Sequence, residues 1–494
     1  MKYLYGASVQ GIQDFIFETN QLKEIAGASE IVDTICSSFF QEFVQERGGY
    51  NPKKLLIGAA GNIKYLFDDI ESCKKVVYSF PKSVMNLAPG ITISQAVVKI
   101  DGDFQESHRQ ELEKRLKIQR NKKTVQHGLG LMVSERSRRT GRAGIGWDKE
   151  AAIDRDNKVV VDTAQMAKRK FTDESKISLW KKLLTDETAG YFRLFPQEME
   201  EISGGKDSKR WIAVIHADGN DLGRKIMNMD NKNRDVEYFR KLSENIGKAT
   251  QLAVKDAFDD IVLENRKEED KKLPFRPIIL GGDDLTLIIR GDLAVAFTEA
   301  YLRAFEKHTK AEVPQFENGL TACAGIAYIK PNYPFHYGVH LAGELCKNAK
   351  KIAKKLGKDL TPSCLLFHKV HSSFISDYPS IIEQELTTKC KLQFNYGPYF
   401  IEKQGCYATI ADLRDWVKTL NRKTSPESRL RNWLTTIQVN EPLAEQDFTR
   451  IKNITQKDYI RKLKLDEPYV CRGGIRYTHL FDAISLSSIE NKSK

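Results

Sequence analysis

The 494-residue sequence predicts an α+β protein in which two βαββαβ units stand in series, joined by a linker region and followed by a mainly helical C-terminal domain. Three observations carry this. The order strand, helix, hairpin, helix, strand occurs twice, which is the split-βαβ, ferredoxin-like plan. The two closing strands look alike, Ile91-Thr-Ile-Ser-Gln-Ala-Val-Val against Leu320-Thr-Ala-Cys-Ala-Gly-Ile-Ala. Each unit has a hairpin with a short polar or glycine turn between apolar runs. The expected boundaries are 1–105 for the first unit, 106–207 for the linker, 208–365 for the second unit and 366–494 for the C-terminal domain.

In the first unit, Tyr3–Phe17 reads as strand, glycine turn and helix. A helical stretch follows, with Ile25, Ile31, Val32, Ile35, Phe39, Phe40 and Phe43 as its apolar positions. Lys54–Phe67 is a hairpin candidate, a helix runs through Cys73 to Phe80, and Ile91–Ile100 closes the unit. In the linker, His108–Thr124 is a charged helix, Glu135–Arg142 a basic loop, and Thr163–Leu184 helical. The second unit opens on Trp211-Ile-Ala-Val-Ile-His-Ala-Asp218, whose continuous apolar run Ile212–Ile215 suits a buried central strand. After the charged loop Arg266–Lys272 comes a hairpin, a helix over 292–307, the strand Leu320–Ile329 and a Lys-rich helix over 338–356. Beyond Leu366, helices are expected over Ile381–Lys391, Tyr407–Thr419, Arg429–Ile437 and Lys452–Lys464. The tail Arg472–Phe481 reads as loop.

The chemistry gathers at the second hairpin, Arg276-Pro-Ile-Ile-Leu-Gly-Gly-Asp-Asp-Leu-Thr-Leu-Ile-Ile-Arg290. Gly281 and Gly282 lack Cβ and let backbone or ligand come close. Asp283 and Asp284 repel each other at the tip and call for a cation. Asp218 ends the neighbouring strand, so the three carboxylates can form one cluster. A Mg²⁺ (or Mn²⁺) pair suits such oxygen ligands, with substrate phosphates completing its shell. The first unit carries Ala60-Gly61-Asn62 at its hairpin and Val9-Gln10 where the second strand ends in Asp218, so only one copy is acidic.

Composition sets the surroundings. A net charge of +12 points to a polyanionic partner, with the basic loop and the basic C-terminal stretch around Trp433, Tyr459 and Tyr477 as candidate contacts. Ordinary solubility charge and a plain helical domain explain the same residues. The eight cysteines show no CxxC pair or zinc spacing and read as thiols of a reducing compartment. The N-terminus has no signal-peptide pattern and no apolar run approaches membrane-spanning length, so a cytoplasmic protein without membrane contact is expected.

These motifs together resemble the large palm-polymerase subunit of type III CRISPR effector complexes. Ser8–Ile16 and Gly27-Ala-Ser29 resemble that family's first-palm signature. Ala217–Gly223, Gly281–Asp284 and Leu320–Gly325 resemble its second palm, so the likeness spans roughly residues 1–360. The resemblance implies two palm domains, synthesis of cyclic oligoadenylates from ATP, activation by target RNA, and guide RNA and other effector subunits as partners. Ala342–Lys350 is also similar to the closing helix of diguanylate cyclases, where a lysine at the Lys350 position meets the triphosphate. The chain departs from the family in three ways. None of its nine histidines is followed by Asp, so no HD nuclease is expected. The inter-palm zinc cysteines are absent. Asn220 stands where an acid is usual, with Asp221 next.

The resulting expectation is metal-dependent nucleotidyl transfer. Asp218, Asp283 and Asp284 hold the metal pair with the Gly219 carbonyl. Asn220, Gly281, Gly282 and Lys350 line the ATP. Gly11, Gln13 and Ser29 of the first palm shape an acceptor site. A non-catalytic RNA- or subunit-binding scaffold, and a cyclase or AMP-transferase with a different product, are the competing readings.

Overall fold

The computed structural model describes residues 1–122, 133–148, 158–173, 183, 191, 194–204, 210–228, 235–266, 271–357, 360–371 and 377–490. Its first unit runs β1 (Lys2–Gln10), α1 (Ile12–Ile16), α2 (Leu22–Cys36), α3 (Ser38–Gly48), β2 (Leu55–Ala59), β3 (Asn62–Phe67), α4 (Ile70–Leu87) and β4 (Thr92–Ile100). The antiparallel sheet has the order β2-β3-β1-β4. Gly11 separates β1 from α1 because it takes a left-handed φ of 65°, which glycine adopts without steric cost. Asp69 starts α4 by accepting a hydrogen bond from the Ser72 amide, the usual way to satisfy an orphan donor at a helix start.

The next helix, α5 (Glu106–Arg120), packs on β1 and β4. Its Leu112 and Leu116 join Leu4, Leu66, Val98 and Ile100 in a small second core. Leu112 lies where a Cβ on Gly6 would come within 2.8 Å, so the glycine makes room for it. This corrects the expected boundary at 105: α5 covers the second face of the first sheet rather than opening a linker. Two buried leucines in a highly charged helix gave too narrow an apolar stripe to be read as core-facing. Residues 123 and 124, expected to end this helix, lie outside the described residues.

A two-stranded ribbon, β5 (Gly146–Asp148) with β6 (Val159–Val161), and α6 (Thr163–Asp173) follow. The rest of the helix expected to Leu184, residues 174–182 and 184, lies outside the described residues. The basic loop sends two of its arginines to buried or half-buried acids. Arg139 pairs at 3.1 Å with Glu24, which is fully buried, and Arg142 pairs at 3.0 Å with Glu18. Arg169 and Lys168 of α6 reach the same two acids, at 3.5 and 2.9 Å. These pairs tie the loop to Glu18 and to Glu24 of α2, while Arg136 and Arg138 stay exposed at the surface. Glu24→Ala would leave Arg139 and Arg169 facing a buried gap, and a loss of roughly 3–5 kcal/mol in urea melts is expected, as for one partner removed from a buried ion pair.

After a short α7 (Met199–Ser203), the second unit runs β7 (Ile212–Gly219), α8 (Leu222–Asn228), α9 (Val236–Ala257), β8 (Phe275–Gly281), β9 (Asp284–Arg290), α10 (Ala294–Glu312), β10 (Ala322–Ile329) and α11 (Phe335–Leu356). Residues 267–270 of the expected charged loop lie outside the described residues. The strand order β10-β7-β9-β8 repeats that of the first sheet. Two strands extend it: β11 (Cys364–Lys369) lies parallel to β10, and the later β13 (Tyr399–Phe400) pairs with β11. The boundary expected at 365 therefore falls inside a strand of this sheet.

The two units face each other about a pseudo-twofold relation. α2 of the first packs on β8 of the second, and α9 of the second packs on β2 of the first. The Ser29 hydroxyl donates to the Ile278 carbonyl across the interface. The hairpin tips touch, since a Cβ on Gly281 would lie 3.6 Å from Ala60.

The C-terminal region carries α12 (Tyr378–Gln384), β12 (Leu392–Gln393), β13, α13 (Ile410–Leu420), α14 (Glu427–Val439), α15 (Glu441–Ile454) and α16 (Lys457–Lys462). The tail is not a loop. β14 (Val470–Arg472) and β15 (Ile475–Tyr477) form a hairpin around Gly473-Gly474, whose φ angles are 57° and 82°, and α17 (Leu480–Glu490) follows. Paired left-handed glycines are a hairpin signal that the short strands concealed. Trp433 and Tyr459 are buried, and Tyr477 packs against Arg472, so the basic region's aromatics build its core. Among the described residues no helix is long and apolar enough to cross a membrane.

Candidate active site

The site forms where β7 ends beside the β8–β9 turn. Ala217 pairs with Leu285, so Asp218 comes next to Asp284 along the same ladder. On its other side Asp218 pairs with Cys323 of β10. Alternation along β7 puts Val214, His216 and Asp218 on the face that α11 covers, since a Cβ on Gly338 of α11 would lie 3.3 Å from Val214. His216 shares a 3.0 Å hydrogen bond with Thr286 on that face. Burial keeps its imidazole below the ordinary pKa, so it is neutral.

Each glycine of the motif has its own task. A Cβ on Gly219 would fall 2.7 Å from Asp283 Oδ2 and 2.9 Å from Asp283 Cβ. Only glycine lets the hairpin tip settle against the end of β7. Gly282 holds the turn with φ 64°, and its carbonyl accepts a 2.7 Å hydrogen bond from Thr250 of α9. Gly281 gives room to Ala60 of the first unit. Gly219→Ala is expected to cost about 1–3 kcal/mol in thermal melts, because Asp283 must leave its place.

The electrostatics match a site that wants a cation. Burial, then the Asp218 charge, pushes Asp283 up to about 6. Desolvation by the cleft walls, then Asp283 and Asp218, pushes Asp284 up to about 7, although its side chain is open to water. Among the described residues, the cation within hydrogen-bonding reach of Asp218 is Lys350 of α11. Its Nζ stands 2.6 Å from Asp218 Oδ2 and 2.6 Å from the Gly219 carbonyl. Burial works against that ammonium, but the hydrogen bond and charge of Asp218 outweigh it and hold Lys350 above the ordinary lysine value.

These donors fit a divalent metal. The Asp218 carboxylate and Gly219 carbonyl are hard oxygens already gathered around one positive charge, and two carboxylates beside them resist ionisation without a counter-charge. Among the described residues no three His, Cys, Asp or Glu side chains converge tightly enough to hold a metal alone. The expected three-acid cluster is therefore looser than a closed cage, and backbone and substrate oxygens would have to complete a metal's shell.

The remaining expected residues divide. Asn220 is buried, its amide 2.7 Å from the Thr321 carbonyl and its Nδ2 3.0 Å from Thr321 Oγ1. It locks β7 to β10 rather than lining a nucleotide. Asp221, at φ 58°, turns away to Thr361 and to Lys354 at 3.3 Å, so it does not join Asp218. Gln13 lines the cleft between the units, together with Ile12, Ser29, Asp33, Gly61, Leu280 and Asp284. Gly11 is not among the residues lining that cleft; it holds the turn that leads from β1 into α1. Ser29 is spent on the interface bond to Ile278. Two residues escaped the sequence reading. Thr250 is a lone hydroxyl on the apolar face of α9. Tyr301 of α10 lies beneath the three acids, fully buried, and among the described residues its hydroxyl has no hydrogen-bond partner. A polar group at an apolar helical position was the only signal for either.

The first unit holds a counterpart without carboxylates. Ser8 pairs with Asn62 on one side and Ser94 on the other, as Asp218 does with Asp284 and Cys323. The equivalent of Asp218 is thus Ser8, one residue before the Val9-Gln10 expected from sequence. Here Arg120, at the end of α5, donates to Ser8 Oγ at 2.9 Å and to Asn62 Oδ1 at 3.4 Å. It stands as Lys350 does over the second unit.

Fold and site together define a double palm protein with one acidic centre. Residues 211–359 match the family model of Cas10/Cmr2, second palm domain. Solved structures align over 99% of this chain. They include a Csm1–Csm4 cassette in complex with cA4 (TM-score 0.55, 14% identity, 70% of that chain). The same cassette with cA3 aligns at TM-score 0.56 and 14% identity over 69% of its length, and Csm1 in T.onnurineus at 0.54 and 14% over 69%. No curated protein matches in sequence. Residues 211–359 thus carry a Cas10/Cmr2-type second palm domain, and the chain as a whole has the fold seen in Csm1.

Proposed function

We propose that this protein is a nucleotidyltransferase that builds cyclic oligoadenylates from ATP, working with other subunits of a type III CRISPR effector and switched on by target RNA. The observation that carries it is Asp218 with Gly219, Asp283, Asp284 and Lys350, set at the edge of a cleft between two palms. Structures similar to this chain are complexes with cA4, with cA3 and with AMPPNP, each a Csm1–Csm4 cassette. They favour an adenine nucleotide and a Csm4-like partner for this chain as well.

In the proposed reaction a 3′-hydroxyl attacks the α-phosphate of ATP, the P–O bond to the β-phosphate breaks, and pyrophosphate leaves. When bound, a Mg²⁺ pair supplies charge neutralisation and a lowered pKa for the attacking hydroxyl. Asp218, Asp283 and the Gly219 carbonyl would hold it, with Asp284 at the open side. Lys350 moves from Asp218 to the triphosphate and neutralises it as a point charge. The absent Cβ of Gly281 and Gly282 lets the nucleotide approach the turn, and Gln13 lines the acceptor side.

The test is direct. Purified protein is incubated with each NTP and Mg²⁺ or Mn²⁺, alone and with RNA, and products are identified by mass. Cyclic adenylates formed from ATP are expected. A linear, mixed-base or conjugated product would reassign the substrate, and no product under any condition would favour a scaffold role.

A further inference from the structure

Three cysteines lie directly under the site, and nothing in the proposed reaction uses them. Cys323 on β10 and Cys364 on β11 are register partners on adjacent parallel strands. Their sulfurs are 3.5 Å apart, and both residues are fully buried. Cys346 of α11 caps the pair from above, its thiol 3.1 Å from the Cys323 carbonyl. The Cys364 thiol reaches toward the Ala349 carbonyl at 3.8 Å. The two thiols therefore sit beneath the turn of α11 that carries Lys350. Cys323 is also the cross-strand partner of Asp218.

We propose that Cys323 and Cys364 are a modification site, closing to a reversible disulfide under peroxide and thereby disabling the acidic centre beside them. The backbone allows the bond. Neighbouring strands run about 4.7–4.9 Å apart, within the Cα separation of roughly 4.4–6.8 Å that disulfides span. The sulfurs must approach from 3.5 Å to about 2.05 Å, a small change for two side chains already in contact. The chemistry balances. One thiol is oxidised by hydrogen peroxide to a sulfenic acid, releasing one water. The second thiol attacks that sulfur, the S–O bond breaks, and hydroxide leaves with the second thiol's proton as another water. Two thiols and one peroxide give one disulfide and two waters. Burial excludes bulky oxidants, so a small neutral peroxide entering beside the partly exposed Asp218 is the reagent class.

Closure acts on the site through two contacts. Drawing Cys323 toward β11 shifts the strand that pairs with Asp218. It also alters the packing below Cys346 and Ala349, and so the perch from which Lys350 reaches Asp218 and Gly219. The activity arm of this inference rests on the proposed nucleotidyl transfer; the cross-link itself does not.

The experiment treats the reduced full-length protein with hydrogen peroxide, alkylates what remains free, and maps cysteines by peptide mass spectrometry with and without dithiothreitol. A Cys323–Cys364 cross-link is expected, two hydrogens lighter than the reduced pair and reversed by dithiothreitol. The exposed Cys406 and Cys471 report that peroxide has acted. Oxidation of those two without a 323–364 cross-link overturns the proposal. ATP turnover is expected to be lost on oxidation and regained on reduction, and to survive peroxide in a Cys364→Ala variant whose melt matches the wild type. A cross-link that leaves turnover unchanged overturns the regulatory role. Absence of turnover in the reduced protein as well counts against the nucleotidyl-transfer reading, while the cross-link is still scored by mass in the unmutated chain.

Discussion

Replacing Asp283 and Asp284 together by asparagine is expected to abolish nucleotide turnover and to make the metal-free protein more stable at neutral pH, by on the order of 2 kcal/mol once solvent access at Asp284 is discounted. The sign follows from the fold. Burial and mutual repulsion raise both carboxyls, to about 6 and about 7, above their ordinary value of 3.8. The folded state thus holds their protons more tightly than the unfolded chain does. Below about pH 4 both states are protonated and the acids cost nothing. Between about pH 4 and 7 the metal-free wild type loses stability as pH rises, and above that window the penalty is complete. The double variant lacks this slope. It also loses metal-dependent stabilisation, which for a site at one hundred times its Kd is about 2.7 kcal/mol. Melts across pH with and without Mg²⁺ and ATP, beside product assays, check each part. Surviving product formation, or an unchanged pH slope, would sink the assignment.

Lys350→Met should separate two properties that usually move together. Turnover falls by about 10²–10³, the usual cost of removing one preorganised charge from a transition state. Yet Mn²⁺ binding without nucleotide tightens, because the ammonium now bonded to Asp218 Oδ2 and the Gly219 carbonyl competes for the same oxygens. Titrating Mn²⁺ into the nucleotide-free variant, by calorimetry or spin resonance, reads this directly. Weaker or equal binding would mean that the lysine supports the metal site instead of occupying it.

Much of this geometry was legible in the sequence, because local chemistry agreed with the fold. Ile212–Ile215 suited a buried central strand, Gly281–Asp284 read as a tight turn between apolar runs, and the duplicated order of elements placed them side by side. What escaped reading depended on contacts distant in sequence. The alignment of Asp218 with Ser8 rests on ladder register, which a one-residue shift reverses. Ser29, Asn220 and Asp221 carry the right side chains for a ligand, but Ile278, Thr321, Thr361 and Lys354 claim them first. The ion pairs of Arg139 and Arg142 were hidden because their partners, Glu24 and Glu18, lie more than a hundred residues upstream. Leu112 and Leu116 were hidden among charges, and Gly473-Gly474 between strands of three residues.

Arg120 on Ser8 and Asn62 has a consequence for how a product would grow. A symmetric pair of palms with two live centres closes a two-member ring by two equivalent strokes, neither partner moving. This chain has one acidic centre, and the Arg120 guanidinium fills its mirror image. Every bond of the proposed product must then be made at the same spot. After each bond, the growing end has to be lifted from where it formed and laid down again as the next attacker, while fresh ATP takes the vacated place. Ring size becomes a contest between re-seating and escape, decided by how long the cleft keeps hold of a short strand, and not by the symmetry of the fold.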